Sequence, residues 1–280
     1  MQVTFFGVRG STPCHGDDTQ RYGGNTSCVG VAIPGEDPIF FDLGTGARYL
    51  GATMPLDGSF RGSCLLSHLH WDHTQGLPFF APILCSGAEL DIYAPQQDDG
   101  RPLKAVFDTL ICPPVFPVTV AQFPGAVCYH ELNDHDFMIG GVKVRSRLVP
   151  HLGLTLGFRV EWGGCSVAYV SDHQQPHDGS FSVTQGVRDL VDEVDLLIHD
   201  SQYTPAEFPA KNNWGHCTVD YAVWLAQECD VRTLALFHHD PTRSDDAIDQ
   251  LHRCVTSAAS DVAGAPKVVA AYEGLTIALR

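Results

Sequence analysis

The chain has 280 residues, and 17 Lys and Arg against 33 Asp and Glu leave a formal net charge of −16 with histidine neutral. A composition of 44% apolar and 18% charged residues is that of a globular protein with a sizeable core, and it excludes disordered and collagen-like classes. The shortage of Lys and Arg argues against broad contact with DNA or RNA, which depends on clustered cations neutralising phosphates.

Residues 3–8 alternate and are β-rich, so they read as a strand that stops at the Gly and Pro of residues 9–13. Residues 27–33 and 39–42 repeat that pattern around the turn 34–38, which predicts a hairpin. Further strands are expected at 64–67, 90–93, 141–144, 155–160, 166–170, 196–198, 233–237 and 275–278. Apolar residues at three and four spacing predict helices at 102–111, 183–194, 219–229 and 245–259, with Asp220, Asp245 and Asp246 at helix starts, where negative charge suits the dipole. Strand-rich halves closed by helices suggest two sheets packed face to face with helices outside, in an α/β fold. No linker divides the chain, so residues 1–280 are expected to form a single domain. No apolar run approaches the roughly 18–20 residues that span a bilayer, and the N-terminal residues lack a signal pattern. A cytoplasmic protein with no membrane partner is therefore expected. Ten cysteines at irregular spacing, without a C-x-x-C pair, read as buried small hydrophobes in a reducing compartment rather than as a disulfide framework.

The strongest chemical signal is His68, His70, Asp72 and His73, three imidazoles and a carboxylate within six positions directly after a strand. Imidazole is a good ligand for zinc, iron and manganese, and such a crowd would repel itself if protonated. On an extended segment His68 and His70 point the same way, so both can reach one ion. Asp72 and His73 lie beyond a turn and can face a second ion. Distant residues must complete such a pair of sites.

This H-x-H-x-D-H pattern resembles the metallo-β-lactamase superfamily, whose fold is an αββα four-layer sandwich of two mixed sheets flanked by helices. The resemblance runs the length of the chain. It implies two divalent metal ions, zinc or manganese first and iron also compatible, with His68, His70 and His151 on one and Asp72, His73 and His238 on the other. Asp172, after the strand 166–170, would bridge them, and Asp42 in the D-x-G-x-G segment would support the metal-binding loop from behind. His239, adjacent to His238, is the alternative last ligand, because successive strand-end residues point oppositely. Aspartate at 72 and 172 supplies hard oxygen ligands, a departure from β-lactamases of the common zinc subclass.

Residues 214–218 are similar to the G-H-[ST]-T element of the ribonuclease Z and phosphodiesterase branch. The similarity implies catalytic roles for His216 as general acid and Asp200 as its orienting carboxylate, with Asp72 both ligand and catalytic. Residues 8–13, 21–27 and 237–241 resemble bacterial proteins of a phosphodiesterase-like group. There Arg21 and Asn25 could hold a phosphate or ribose, while Gly10, Gly23 and Gly24 either present backbone N–H groups to it or simply make tight turns. The expected activity is metal-dependent hydrolysis of a small phosphodiester, a cyclic nucleotide above all. Alternatives are a ribonuclease Z-like RNA endonuclease and lactone, thioester or β-lactam hydrolysis. A non-enzymatic metal-binding or redox-sensing module is a further, weaker reading. RNA fits less well for want of a basic arm, and DNA is excluded as a partner. A homodimer is implied by the resemblance alone. Residues 94–124 carry only Arg101 and Lys104 as basic groups and read as a lid or a dimer surface.

Overall fold

The structure is a computed structural model and describes residues 1–260 and 264–280. Its first half contains β1 (Gln2–Gly7), β2 (Cys28–Ala32), β3 (Ile39–Phe41), α1 (Ala47–Gly51), β4 (Arg61–Leu65), α2 (Trp71–Thr74), β5 (Glu89–Pro95), α3 (Leu103–Leu110) and β6 (Ala126–Leu132). The second contains β7 (His135–Ile139), β8 (Val142–Leu148), β9 (Leu156–Trp162), β10 (Cys165–Val170), α4 (Gln185–Val191), β11 (Leu196–Asp200), α5 (Phe208–Lys211), α6 (Val219–Glu228), β12 (Thr233–Phe237), α7 (Asp245–Ser260), β13 (Lys267–Ala270) and β14 (Thr276–Ala278).

These strands form two seven-stranded sheets, ordered β14-β1-β2-β3-β4-β5-β6 and β13-β12-β11-β10-β9-β8-β7. Each sheet is mixed: β1, β2 and β3 pair antiparallel and β3 to β6 parallel, while β7 to β10 pair antiparallel and β10 to β13 parallel. Alternation along a strand sends successive side chains to opposite faces, and both faces are covered. Phe41 of β3 turns inward and stacks on Tyr169 of β10 with ring centroids 4.6 Å apart, within the core between the sheets. Phe40, one position earlier, turns outward into the layer closed by Leu50 of α1 and Phe107 of α3. On the other sheet Val170 and Leu197 pack under Leu190 of α4 and Ala222 and Leu225 of α6. The architecture is the four-layer αββα sandwich expected from the sequence, with the 27–42 hairpin in place as β2 and β3.

Three strands escape the sequence pattern, and all three are sheet edges. β6, β7 and β13 end their sheets, and β6 and β7 carry His130, Glu131, His135 and Asp136. An edge strand has less neighbouring surface to bury it, so it needs no unbroken apolar run. α4 is shorter than the periodicity of 183–194 predicts, because Thr184 caps its start by accepting from the Val187 amide at 3.4 Å. Of the ten thiols, which form no disulfide, Cys28, Cys64, Cys165, Cys217 and Cys229 are buried as expected, whereas Cys128 and Cys254 are exposed. No described helix is long and apolar enough to cross a membrane.

The parallel strands β3, β4, β10, β11 and β12 run out at one end of the sandwich, where their following loops meet. A buried guanidinium fastens that end. Arg9 donates from Nε to the Gly23 carbonyl at 2.8 Å and from Nη1 to the Asp240 and Arg243 carbonyls at 3.2 and 2.7 Å. Its Nη2 lies 3.5 Å from the Asp245 carboxylate, and neither side chain is open to solvent. A buried charge left without its partner costs about 3–5 kcal/mol. Arg9→Met leaves three carbonyls without this donor, while Asp245 keeps the Arg21 and Tyr22 amides, so unfolding stability should fall by that order, measured by urea denaturation.

Candidate metal centre

Beyond β4 the chain stays extended to His70, with φ −63° and ψ 154° there, then coils into α2. This places His68 and His70 side by side, with His68 Nε2 2.8 Å from His70 Nδ1. The helical turn carries Asp72 and His73 to a second position, where His73 Nε2 lies 3.1 Å from Asp72 Oδ2. Three other loops converge on the same spot. His151 follows β8 and puts Nε2 3.4 Å from His70 Nδ1, and His238 follows β12 and puts Nε2 3.2 Å from Asp72 Oδ2. Asp172, beyond β10, stands between the groups: Oδ1 is 3.9 Å from both His68 and His151 Nε2 and 3.4 Å from His238, and Oδ2 is 3.3 Å from His73. All seven residues singled out as ligands thus meet in one cluster, in overlapping sets whose donor atoms lie within 4.8 Å of one another.

The rings are held from behind. Asp42, in the left-handed region at φ 59°, accepts from the Ser67 amide (2.7 Å) and hydroxyl (3.0 Å), from His73 Nδ1 (2.6 Å) and from the Tyr169 hydroxyl (2.6 Å). His151 Nδ1 donates to the Gly215 carbonyl at 2.6 Å, and His238 Nδ1 to Gln202 Oε1 at 2.8 Å. With Nδ1 engaged in this way, each of these rings turns Nε2 toward the cluster. Two glycines allow the close approach. A Cβ on Gly10 would lie 2.3 Å from the His238 ring, and one on Gly215, itself at φ +93°, 2.4 Å from the His151 ring. Gly10 therefore packs against the His238 ring, and its N–H pairs with the His239 carbonyl at 3.0 Å instead of facing a phosphate.

Burial drives the His68 and His70 pKa values down and that of His151 down to about 4, so these imidazoles are neutral, the form that ligates. Burial alone would also lower His73 and His238, but Asp72 and Asp172 outweigh it and raise both. Burial likewise opposes ionisation of Asp72 and Asp172, yet the histidines around them hold both carboxyls below the usual range. His73 Nε2 and Asp172 Oδ2 are buried and make no hydrogen bond. Converging lone pairs, buried anions and unpaired buried atoms fit divalent cations, with nitrogen and oxygen donors and no sulfur.

His216 stands at the rim, its ring stacked on His238 at 4.9 Å between centroids. Its Nδ1 donates to Asp200 Oδ2 at 2.8 Å, and Asp200 is fixed by the His173 and Gln202 amides at 3.1 and 2.9 Å. Cys217 is fully buried and turned away, its Sγ donating to the Asp200 carbonyl at 3.2 Å, and burial pushes its thiol well above the ordinary value. His199 is also internal, donating from Nδ1 to that carbonyl at 2.7 Å.

Between His238 and His239 the geometry selects the former. His239 Nε2 donates to the Ala271 carbonyl at 2.9 Å, away from the cluster. Arg21 and Asn25 are not brought to the cleft, a correction to the expectation of phosphate or ribose contact. Arg21 binds Asp246 and Asp249 at 2.6 Å each, and the Asn25 side chain donates to Glu273 at 2.9 Å, so carboxylates of the C-terminal segment engage their donors. Sequence reasoning missed Ser67, Tyr169, Gln202 and the Gly215 carbonyl as supports. Strand alternation, which turns Tyr169 to the same face as Phe158 and Phe237, is the one signal that could have found any of them.

The family profile described as Beta-lactamase superfamily domain matches residues 62–239. The chain is 23% identical to a ribonuclease Z of Synechococcus sp. (strain CC9311), over 86% of this chain and 88% of that one. Its fold is similar to that of the metallo-β-lactamase fold protein YhfI from Bacillus subtilis, with a TM-score of 0.71 and 20% identity over 99% of this chain and 98% of that one. It is similar also to a diphosphatase from the PhnP family, with a TM-score of 0.67 and 20% identity over 99% and 96% of the two chains. With a family match across more than half its length and an αββα sandwich that gathers histidines and aspartates at one end, the chain belongs to the metallo-β-lactamase superfamily and is a metal-dependent hydrolase.

Proposed function

We propose that this protein is a dinuclear phosphodiesterase acting on a small phosphodiester, with a cyclic nucleotide as the first candidate. His68, His70 and His151 would hold one ion, Asp72, His73 and His238 the other, and Asp172 would lie between them. Zinc or manganese suits this mixture of imidazole and carboxylate, and iron is compatible with it. Two bound divalent ions supply Lewis acidity toward phosphoryl oxygens and a water nucleophilic at neutral pH.

The observation that carries the reading is the His216–Asp200 pair beside the cluster. Since Nδ1 of His216 is committed to Asp200, Nε2 is the nitrogen left to give a proton to the departing alkoxide. Asp200 fixes the tautomer and offsets the charge of the imidazolium. Asp42 keeps His73 oriented, and the Gly215 carbonyl does the same for His151. Such an acid serves a poor leaving group such as an alkoxide, whereas a non-catalytic metal module has no use for it.

A second reading, RNA processing, draws support from the relative named ribonuclease Z, which weighs against setting RNA aside on charge alone. Among the residues lining the cleft beside His216, Lys211 is the one cation, and it is paired with Asp240 at 3.3 Å. That arrangement favours a small diester over a long polyanion.

After reconstitution with zinc or manganese, the protein should hydrolyse bis(p-nitrophenyl) phosphate and prefer one member of a panel of 2′,3′- and 3′,5′-cyclic nucleotides. Cleavage of a tRNA precursor with no turnover of the small diesters would replace this reading with the RNA one, and two bound metals with neither activity would point to lactone or thioester hydrolysis. His216→Ala should cut kcat by about 10²–10⁴-fold with metal content unchanged; full activity would remove it from the mechanism. Asp42→Ala should weaken metal affinity by about 10–100-fold, measured by competition with a chromogenic chelator.

A further inference from the structure

Trp71 lies between two residues of the cluster, His70 and Asp72, and is 71% exposed. Beneath it the α2 segment and the residues between β5 and β6 enclose a pocket of about 320 Å³, walled by Trp71, Phe79, Phe107, Leu110, Val115 and Phe116. Trp71 and Leu110 line both this pocket and the cleft that holds His70, Asp72, Asp172 and His216, so the two spaces adjoin at these side chains. The pocket is at the lower end of the size range for small-molecule sites. Its walls are aromatic, with the Phe79 and Phe116 rings edge to face at 6.0 Å.

No charged side chain lines it. At its border the Thr74 and Thr109 hydroxyls already donate to the His70 and Ala105 carbonyls, at 3.1 and 2.9 Å, and the Gln75 side-chain amide to the Thr26 hydroxyl at 3.4 Å. A phosphate, a sugar or a charged chain would gain little there, whereas a flat uncharged ring would bury both faces against aromatic carbon. On the far side of His216 the cleft is mixed in character, with Gln202, Lys211, Asn213 and Asp240 beside Leu152, Tyr203 and Trp214 in its wall. The reacting centre thus lies between an uncharged aromatic pocket and a wall that carries Lys211 and Asp240, and of these two the acid borders the latter.

We propose that the pocket under Trp71 is the ring subsite of the substrate. It takes the uncharged aromatic ring of a phosphodiester, nucleobase or aryl group, while the phosphorus lies at the metal cluster. This rests on the phosphodiesterase reading and adds to it what recognises the substrate. Residues 94–124 accordingly act as a specificity wall instead of a basic grip on nucleic acid.

The test compares the metal-reconstituted wild type with Phe116→Ala and Phe79→Ala, which lie away from the metal ligands in sequence. The substrates are adenosine 2′,3′- and 3′,5′-cyclic monophosphate, bis(p-nitrophenyl) phosphate, and glycerol 1,2-cyclic phosphate, which has no ring system to stack. Stacking of a base on an aromatic side chain implies that the ratio of KM for an aromatic diester to that for the glycerol diester rises about 5- to 100-fold in each variant. A rise for the nucleotides but not the nitrophenyl ester assigns the subsite to a nucleobase, and the reverse assigns it to an aryl group. An unchanged ratio overturns the proposal, and so does a dimer that dissociates in both variants with the ratio unchanged, which would make the pocket a subunit interface. If the wild type cleaves no diester, the phosphodiesterase reading fails by itself. Calorimetric titration of adenosine and of p-nitrophenol then decides the pocket: binding of either that is lost in Phe116→Ala sustains it, and no binding to the wild type overturns it.

Discussion

One buried carboxylate couples the two sheets at the site. Asp42 ends β3 in a left-handed backbone conformation and gathers the Ser67 amide and hydroxyl, the His73 ring and, from the opposite sheet, the Tyr169 hydroxyl. A side chain with that many donors and no exposure has one orientation available to it. The loop after β4 is thereby pinned to β10, and Asp172 follows the end of β10 after one intervening residue, Ser171. The spacing between the ligands of one sheet and those of the other follows from this contact more than from any bond among the ligands themselves.

The sandwich makes such a site economical to assemble. Parallel strands in each sheet end on the same side, so short loops from residues 42, 68–73, 172, 200 and 238 open toward one another although they are far apart in the chain. Of the five non-glycine residues with positive φ among the described residues, Ser11, Asp42 and His238 lie at this end, and Glu193 and Asp230 lie elsewhere. Arg9 and Asp245 hold the outer loops over that end, which explains why so much charge is buried at a distance from the ligands. Seen this way, Arg21 and Asn25 belong to the same fastening, through Asp246, Asp249 and Glu273.

What could be read in advance follows from how local each signal is. His68, His70, Asp72 and His73 declare themselves because a strand, a turn and four ligands fall within ten residues. His151, Asp172, His216 and His238 each stand alone in sequence and were legible through family resemblance, not through spacing. The Gln202 and Gly215 supports were invisible, since one is an ordinary polar side chain and the other a backbone carbonyl. Buried central strands were plain because both their faces demand apolar residues, and the polar edges β6 and β7 were not. Arg21 misled because a cation near glycines reads equally well as a phosphate ligand or as a partner for acidic residues that lie some 225 positions away.

Cys217 lies directly beside the proposed acid, yet it is sealed inside with its proton firmly held. The ligand cluster itself contains nitrogen and oxygen donors and no sulfur. A centre built this way has no thiolate for peroxide to attack and none for an alkylating reagent to cap. Oxidation or alkylation of a thiol therefore removes none of the candidate ligands.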